Sequence, residues 1–245
     1  MQLSEFELMY RLEDRLWWYR GMRTITRALL DRRYPHGGCL RILDAGCGTG
    51  ASAAMLADYG RVTGLDVEAY AVRLAQSRGL RRLGRGSVTA LPFAAGGFDL
   101  VTCFDVLVML DDAAEVQALA ELARVLAPGG RLLVRVAAND WLRGAHDRAW
   151  QVVRRYSPGR LRAGLAGAGL TVEHIAHANL WLFPLAAAKR LGERLLPARE
   201  ASDLTYPFGP LDGVFGAILS SEAPLVAGPG LPFGLSLFAL ARKPG

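Results

Sequence analysis

LDAGCGTG occupies residues 43–50 and carries most of the structural information in this 245-residue chain. The apolar run over 41–46 predicts a buried strand, and the residues over 50–59 predict a helix. Glycines between two such elements allow a tight turn and leave no Cβ between the backbone and a ligand. A strand, a glycine turn and a helix in this order predict a ligand site outside the carboxyl end of the strand.

The glycine turn fits two kinds of ligand. Gly46, Gly48 and Ala51 satisfy the dinucleotide pattern G-x-G-x-x-G/A. Asp44, two residues before the first glycine, would repel a pyrophosphate and attract a ligand with an ammonium and a sulfonium, by a Coulomb energy of about one to a few kcal/mol. Gly50 completes the tighter G-x-G-x-G spacing. The turn therefore favours a cationic adenosine cofactor, with a dinucleotide such as NAD as the alternative.

A second carboxylate, Asp66, ends the next predicted strand, over 61–66. An acidic residue at that place holds ribose hydroxyls, because one carboxylate can accept from two of them. The feature is common to both classes of ligand. It indicates an adenosine group without choosing between them.

Strands and helices alternate after the glycine turn. The pattern predicts helices over 68–78 and 111–126, a helix with Ser157 as N-cap and Pro158 as its first residue, and further strands over 83–87, 98–107, 131–137, 171–180 and 235–243. Such alternation predicts an α/β fold with a parallel sheet and helices on both faces.

Composition limits the kinds of partner and the cellular compartment that we expect for this protein. The net charge is +6, but the basic residues are scattered arginines with only two lysines, so we expect no nucleic-acid partner. The three cysteines are odd in number and widely spaced, which fits a reducing cytosol and suggests neither a disulfide framework nor a metal site. Glu5 and Glu7 stand where a signal peptide needs basic residues, and the apolar stretch 180–188 is too short to span a bilayer. We expect a cytoplasmic protein without a transmembrane segment.

Four segments in the right order resemble the class I S-adenosylmethionine-dependent methyltransferases. They are LDAGCGTG, GLDVEAYAVRLAQ (64–76), LPFAAGGFDLVTCFDVLVMLDD (91–112) and LARVLAPGGRLLV (122–134). EDRLWWYRGMR (13–23) and LPFGLSLFALARKP (231–244) are similar to bacterial small-molecule members. The resemblance implies a Rossmann-like, seven-stranded, mostly parallel sheet with an antiparallel C-terminal strand.

The resemblance also implies a division of the chain. Residues 1–36 would form an N-terminal helical lid, 37–180 the S-adenosylmethionine-binding core, 181–232 an apolar insert on the acceptor side, and 233–245 the last core strand. The aromatic residues Trp17-Trp18-Tyr19 would either staple the lid to the core or cover the cofactor, where cation–π attraction to the sulfonium is available.

Site roles follow from the same resemblance. Residues implied to bind S-adenosyl-L-methionine, and its product S-adenosyl-L-homocysteine, are Asp44, Gly46, Cys47, Gly48, Gly50, Asp66, Val67, Ser87, Val88, Cys103, Phe104, Trp18 and Arg23. Asp66 would hold the ribose, Ser87 and Val88 would lie at the adenine edge, and Arg23 would reach the cofactor carboxylate. Two positions depart from the family: Ser87 replaces an acidic residue, and Val152 stands where the narrower group has a histidine.

The implied reaction is methyl transfer to an O or N atom of a small, hydrophobic or aromatic molecule. His146 is the candidate general base, because histidine titrates near neutral pH and this one follows the fifth strand; alternatively it shapes its loop with Asp147. The aromatic residues that suggest such an acceptor are Phe183, Tyr206, Phe208 and Phe215.

Several alternatives stay open. The insert can instead be plain packing, a homodimer interface or, as a minor option, a membrane-surface contact. The whole chain can instead be a fold that binds S-adenosylmethionine without methylating, or an NAD-dependent oxidoreductase.

Overall fold

A computed structural model describes residues 3–143, 147, 152–184, 209 and 211–245. Within these residues the strands form one seven-stranded sheet of order β3-β2-β1-β4-β5-β7-β6. The strands are β1 Leu40–Ala45, β2 Gly60–Asp66, β3 Leu83–Arg85, β4 Phe98–Phe104, β5 Leu126–Ala137, β6 Thr171–Ala178 and β7 Ser236–Arg242. β7 is antiparallel to both β5 and β6, and the other neighbours are parallel. The prediction of a Rossmann-like sheet with an antiparallel last strand is confirmed.

The helices follow the predicted alternation. They are α1 Leu3–Leu12, α2 Trp17–Asp31, α3 Ala51–Leu56, α4 Ala69–Ser77, α5 Asp112–Val125, α6 Pro158–Gly167, α7 Leu211–Ser220 and α8 Ala223–Ala227. The expected cap of α6 is present, since the Ser157 hydroxyl accepts from the backbone N–H of Arg160 at 3.2 Å. Asp111 caps α5 in the same way.

The sheet separates two cores, because successive strand residues point to opposite faces. Leu132 and Leu133, neighbours in β5, belong to different cores. The first core holds α5 and α6, and the second holds α2, α7 and α8. Each fully buried Val, Leu, Ile, Phe or Met side chain in them contributes about 1.5–3 kcal/mol.

Helix α2 belongs to the second core although it lies in the proposed lid. Met22 and Ile25 of α2 are fully buried there. α2 also packs tightly on α7, since a Cβ at Gly21 would lie 2.5 Å from the Leu219 side chain. α2 is therefore anchored in the second core, and the division that assigns it to a lid stays a prediction.

The largest differences from the predicted element boundaries are those of β4, β5 and α3. β4 ends at Phe104 rather than at residue 107, because Asp105 adopts a φ of 58° and a 3-10 turn over Leu107–Met109 follows. β5 starts at Leu126 rather than at residue 131, and its pairing with β4 shifts register between Phe98 and Leu100. α3 is shorter than predicted.

A buried carboxylate fastens the second core to the end of β6. Glu222 is fully buried and accepts from three successive backbone N–H groups, those of Asn179 (2.5 Å), Leu180 (2.8 Å) and Trp181 (2.9 Å). Asn179 has a φ of 65°, so the chain turns sharply there. Glu222 thus satisfies donors that the turn would otherwise leave unpaired.

Glu222→Ala should lower the free energy of unfolding by about 3 kcal/mol or more, because unpaired buried donors each cost about 1–3 kcal/mol. Urea denaturation followed by circular dichroism measures this change. The control is Glu68→Ala, an exposed carboxylate, which should change stability by less than about 0.5 kcal/mol. Equal losses in the two variants would contradict the anchoring role.

Candidate cofactor site

The glycine turn is shaped by packing as well as by backbone conformation. Gly46 and Gly50 have φ values of 81° and 91°, a region that other residues seldom adopt. A Cβ at Gly46 would lie 2.2 Å from Val106 Cγ2, and one at Gly50 would lie 2.7 Å from the Leu80 side chain. Both positions therefore require glycine.

Asp44 lies under this turn with half of its carboxylate unpaired. The residue is 1% exposed. Its Oδ1 accepts from the Thr102 hydroxyl at 2.7 Å, while its buried Oδ2 has no hydrogen-bond partner among the described residues. Burial raises the pKa of Asp44 to about 6, against the opposing effects of Thr102 and Arg135. An unpaired buried acceptor fits a ligand that brings a cationic donor, such as the ammonium of S-adenosylmethionine.

Asp66 stands at the end of β2 and supports the turn from the other side. Its Oδ2 accepts from the backbone N–H of Gly48 at 2.8 Å, and its Oδ1 accepts from that of Glu68 at 2.9 Å. Burial raises its pKa, and these two backbone bonds oppose the rise. Each oxygen retains a lone pair, so the ribose role remains open to it. Val67, the proposed adenine contact, is 56% exposed beside it.

The residues proposed for the adenine edge differ in exposure. The Ser87 hydroxyl lies 2.7 Å from that of Thr89 and also accepts from the Thr89 backbone N–H at 3.2 Å. Val88 is buried in the first core. Of these two residues, only Ser87 is partly exposed, and its hydroxyl oxygen already interacts with Thr89.

Cys103 and Phe104, at the end of β4, are the residues proposed to face the methionine group of the cofactor. Cys103 is fully buried and Phe104 is 9% exposed. Burial raises the pKa of the Cys47 and Cys103 thiols well above their usual range, so both stay neutral. Neither cysteine is a candidate nucleophile, since the thiolate is the reactive form.

The structure adds an ion pair that sequence analysis missed, with a buried arginine and a partly exposed aspartate. Arg135 of β5 donates from Nε and Nη2 to Asp105 Oδ2, at 2.8 and 2.6 Å. The rings of Trp18 and Phe104 both lie 5.0 Å from the Arg135 Cζ atom. Trp18 therefore lies beside Arg135 at the carboxyl edge of the sheet, and its contact with the cofactor stays a prediction.

α1 is fastened to the glycine turn by a second missed group. Glu13 is buried, accepts from the Thr49 hydroxyl, and pairs with Arg78 at 3.1 Å. Arg78 also donates to the backbone oxygens of Thr49 and Tyr10, at 2.9 and 2.8 Å. Glu13, Thr49 and Arg78 thus form a latch, which holds the carboxyl end of α1 on the loop that the cofactor would contact.

Arg23 takes part in this latch. Its Nη1 donates to the Glu13 backbone oxygen at 2.6 Å, and burial lowers its pKa. The structure brings Arg23 to the end of α1. Its contact with the cofactor carboxylate stays a prediction.

His146, the candidate base, lies outside the described residues, as do Tyr206 and Phe208. The neighbouring Asp147 is buried, and both of its oxygens accept from Arg155, at 3.0 and 3.1 Å. Arg155 also donates to the Ala138 backbone oxygen at 3.2 Å. Asp147 is therefore tied to the end of β5.

An aromatic cluster, Trp141, Phe183, Phe233 and His177, lies where β5 and β6 end and β7 begins. Phe183 packs edge-on against Phe233 at 4.6 Å and against Trp141 at 5.8 Å. His177 stacks on Phe233 at 6.1 Å, and burial lowers its pKa, which favours the neutral ring. Trp141 is 55% exposed. Phe215 lies elsewhere, against Trp17 at 5.8 Å.

Comparison with known proteins agrees with this geometry. Residues 43–134 match the methyltransferase domain family. An O-methyltransferase of Aspergillus nomiae is 40% identical over 103 residues, 38% of this chain and 45% of that protein. A demethylmenaquinone methyltransferase of Lactiplantibacillus plantarum is 43% identical over 103 residues, 38% of this chain and 43% of that protein. The crystal structure of an S-adenosylmethionine-dependent methyltransferase from Mesorhizobium loti is 18% identical, with a TM-score of 0.57 over 87% of this chain and 95% of that one.

The domain match over residues 43–134 and the methyltransferase relatives bear out the predicted resemblance to class I S-adenosylmethionine-dependent methyltransferases and its cofactor. The chain spans less than half the length of the two sequence relatives. Among the described residues, no helix has both the length and the hydropathy needed to cross a membrane.

Affinity for S-adenosylhomocysteine should fall as pH drops below about 6. Because burial raises the folded-state pKa of Asp44 to about 6, the carboxylate is protonated below that pH and no longer attracts an ammonium. Affinity should fall up to about tenfold per pH unit there. Isothermal titration calorimetry between pH 5 and 8 measures it.

Asp44→Asn should bind about tenfold more weakly at neutral pH and lose this dependence. The surface variant Asp58→Asn should retain both affinity and dependence. A wild-type affinity that does not change between pH 5 and 8 would contradict the role of Asp44.

Proposed function

We propose that this protein transfers a methyl group from S-adenosylmethionine to an O or N atom of a small, hydrophobic or aromatic molecule. The observation that carries the proposal is the buried, unpaired Oδ2 of Asp44 beside the glycine turn. A pyrophosphate would place negative charge against this carboxylate, whereas an ammonium supplies the missing donor. The NAD-dependent alternative is therefore disfavoured.

When bound, the cofactor supplies a methyl group activated by a sulfonium. The chain has to bind the cofactor and the acceptor, orient them, and exclude water. Asp44 would orient the ammonium, Asp66 would hold the ribose hydroxyls, and the latched α1 would keep the glycine turn closed. Alignment of acceptor and methyl can contribute up to about 7–11 kcal/mol.

The aromatic cluster supports the proposed acceptor class. It lies at the same edge of the sheet as Asp44 and Asp66, because the carboxyl ends of parallel strands meet there. Planar rings at tilted and edge-on angles offer faces and edges to another ring. The exposed Trp141 makes part of the cluster accessible to an acceptor.

We further propose a cytoplasmic enzyme that binds no nucleic acid. Several arginines are paired within the chain, for example Arg41 with Asp99 and Arg131 with Glu173, at 2.7 Å each. Such pairing leaves less free positive charge for a polyanion. A homodimer interface or a membrane-surface contact remains an alternative use of the insert over 181–232.

Tritiated methyl from S-adenosylmethionine should transfer to an apolar phenol or hydroquinone, or to a component of a small-molecule extract from the source organism. Trp141→Ala should raise the acceptor KM about tenfold and leave the affinity for S-adenosylhomocysteine unchanged, because an aromatic contact is worth about 0.5–1.5 kcal/mol. Val116→Ala, exposed on α5, is the control and should change neither value.

Binding of S-adenosylhomocysteine without transfer to any of these acceptors would contradict the proposal and favour a non-methylating fold. An unchanged KM in Trp141→Ala would remove the aromatic cluster from the acceptor site.

His146→Ala should lower kcat by about a hundredfold or more, because a general base contributes about 10²–10⁴ to acceptors that lose a proton. S-adenosylhomocysteine affinity should not change. His36→Ala, at an exposed histidine paired with Asp31, should behave as wild type. A turnover equal to that of the control would show that His146 is not the base.

A further inference from the structure

We propose that Arg135, and not Arg23, binds the α-carboxylate of the cofactor's methionine group. This inference rests on the proposed function and adds a residue that the sequence pattern does not point to. Four observations support it: the position of Arg135 in the sheet, the contacts that hold its side chain, the Nη1 donor without a partner among the described residues, and the nearby charge of Asp44.

Arg135 lies beside the ends of β1 and β4, where the methionine group of the cofactor is proposed to bind. Its Cα pairs with that of Phe104 on β4, and Thr102 of β4 pairs with Asp44 on β1. Leu133, two residues before Arg135, belongs to the second core together with Ile42 and Phe104. Since residues two apart share a face of a strand, Arg135 and Asp44 lie on the same face, near the same edge.

The guanidinium is fixed before any ligand arrives. Two of its nitrogens donate to the single oxygen Asp105 Oδ2, and its Cζ atom lies 5.0 Å from the ring centroids of both Trp18 and Phe104. The side chain is only 10% exposed. A planar group held in this way loses little conformational entropy when it forms one more hydrogen bond.

One donor of this group is left over. Nη1 of Arg135 has no hydrogen-bond partner within the described part of the chain, and Asp105 Oδ2 occupies only Nε and Nη2. A carboxylate is the ligand group that a guanidinium binds best, through short charge-assisted bonds. Nη1 is therefore available for an incoming carboxylate.

Asp44 supplies the opposite half of the recognition. The charge of Arg135 lowers the pKa of Asp44, so the two groups are close enough to interact. Asp44 Oδ2 is an acceptor and Arg135 Nη1 a donor for which the described residues provide no hydrogen-bond partner. An α-amino acid carries one ammonium and one carboxylate, and this pair matches both.

Arg23 lacks these properties. Its Nη1 donates to the Glu13 backbone oxygen, and the charges that act on it are those of Asp14, Glu13, Arg78 and Arg20. Neither Asp44 nor Asp105 is among them. Arg23 therefore serves the latch on α1.

Two ligands separate recognition of the amino acid group from the rest of the cofactor. S-adenosylhomocysteine carries that group, and 5′-deoxy-5′-methylthioadenosine lacks it. Arg135→Gln should weaken S-adenosylhomocysteine binding about 10- to 100-fold, as expected for one charge-assisted bond, and leave methylthioadenosine binding unchanged. Calorimetry measures both. The matched control is Arg131→Gln, on the same strand but paired with Glu173, which should change neither affinity.

A wild-type measurement keeps the test independent of how well the variant folds. Wild type should prefer S-adenosylmethionine over its decarboxylated form by about 10- to 100-fold, and Arg135→Gln should abolish that preference. Arg135→Lys, which keeps the charge without the planar fork, should retain part of it.

Equal weakening of both ligands in Arg135→Gln would overturn the inference and assign Arg135 a structural role only. A wild type that does not discriminate against the decarboxylated form would also overturn it. Both results leave the proposed function intact as long as wild type binds S-adenosylhomocysteine. A wild type that binds neither that ligand nor methylthioadenosine would refute the proposed function itself.

Discussion

The buried carboxylate of Asp44 constrains the whole site. A carboxylate with one unpaired oxygen is costly in a protein interior, and the raised pKa of about 6 expresses this cost. A difference of about two pKa units corresponds to roughly 3 kcal/mol between the protonation states. A cationic ligand relieves the cost and an anionic one increases it, so this residue selects the charge of whatever the glycine turn binds.

The surroundings of Asp44 are organised around that charge. Thr102 satisfies one oxygen, Arg135 provides a nearby positive charge, and the Glu13–Thr49 contact brings α1 over the glycine turn. The latch joins the end of α1 to the glycine turn, and Trp18 of α2 lies against Arg135, so both N-terminal helices contribute contacts at the site. Binding energy and folding energy are therefore linked at this edge of the sheet.

Sequence patterns predicted most of the frame and part of the site. The glycine turn, Asp44 and Asp66 are neighbours in one βαβ unit, so their local spacing was sufficient to place them. The contacts of Arg135, Glu13 and Glu222 are different. Arg135 meets Asp105 across 30 residues of sequence, Glu13 meets Thr49 across 36, and Glu222 meets Asn179 across 43. Local sequence spacing does not reveal pairs so far apart, and Arg135 could not be distinguished from the other scattered arginines in the sequence.

The early end of β4 was missed for a similar reason, since the left-handed conformation of Asp105 goes with its tertiary contacts with Arg135.

The most direct test is calorimetric titration of the purified protein with S-adenosylmethionine, S-adenosylhomocysteine and NAD under one set of conditions near neutral pH. Both sulfur-containing nucleosides should bind at least about a hundredfold more tightly than NAD, a difference of about 3 kcal/mol. Tight binding of NAD with no heat from either nucleoside would contradict this expectation.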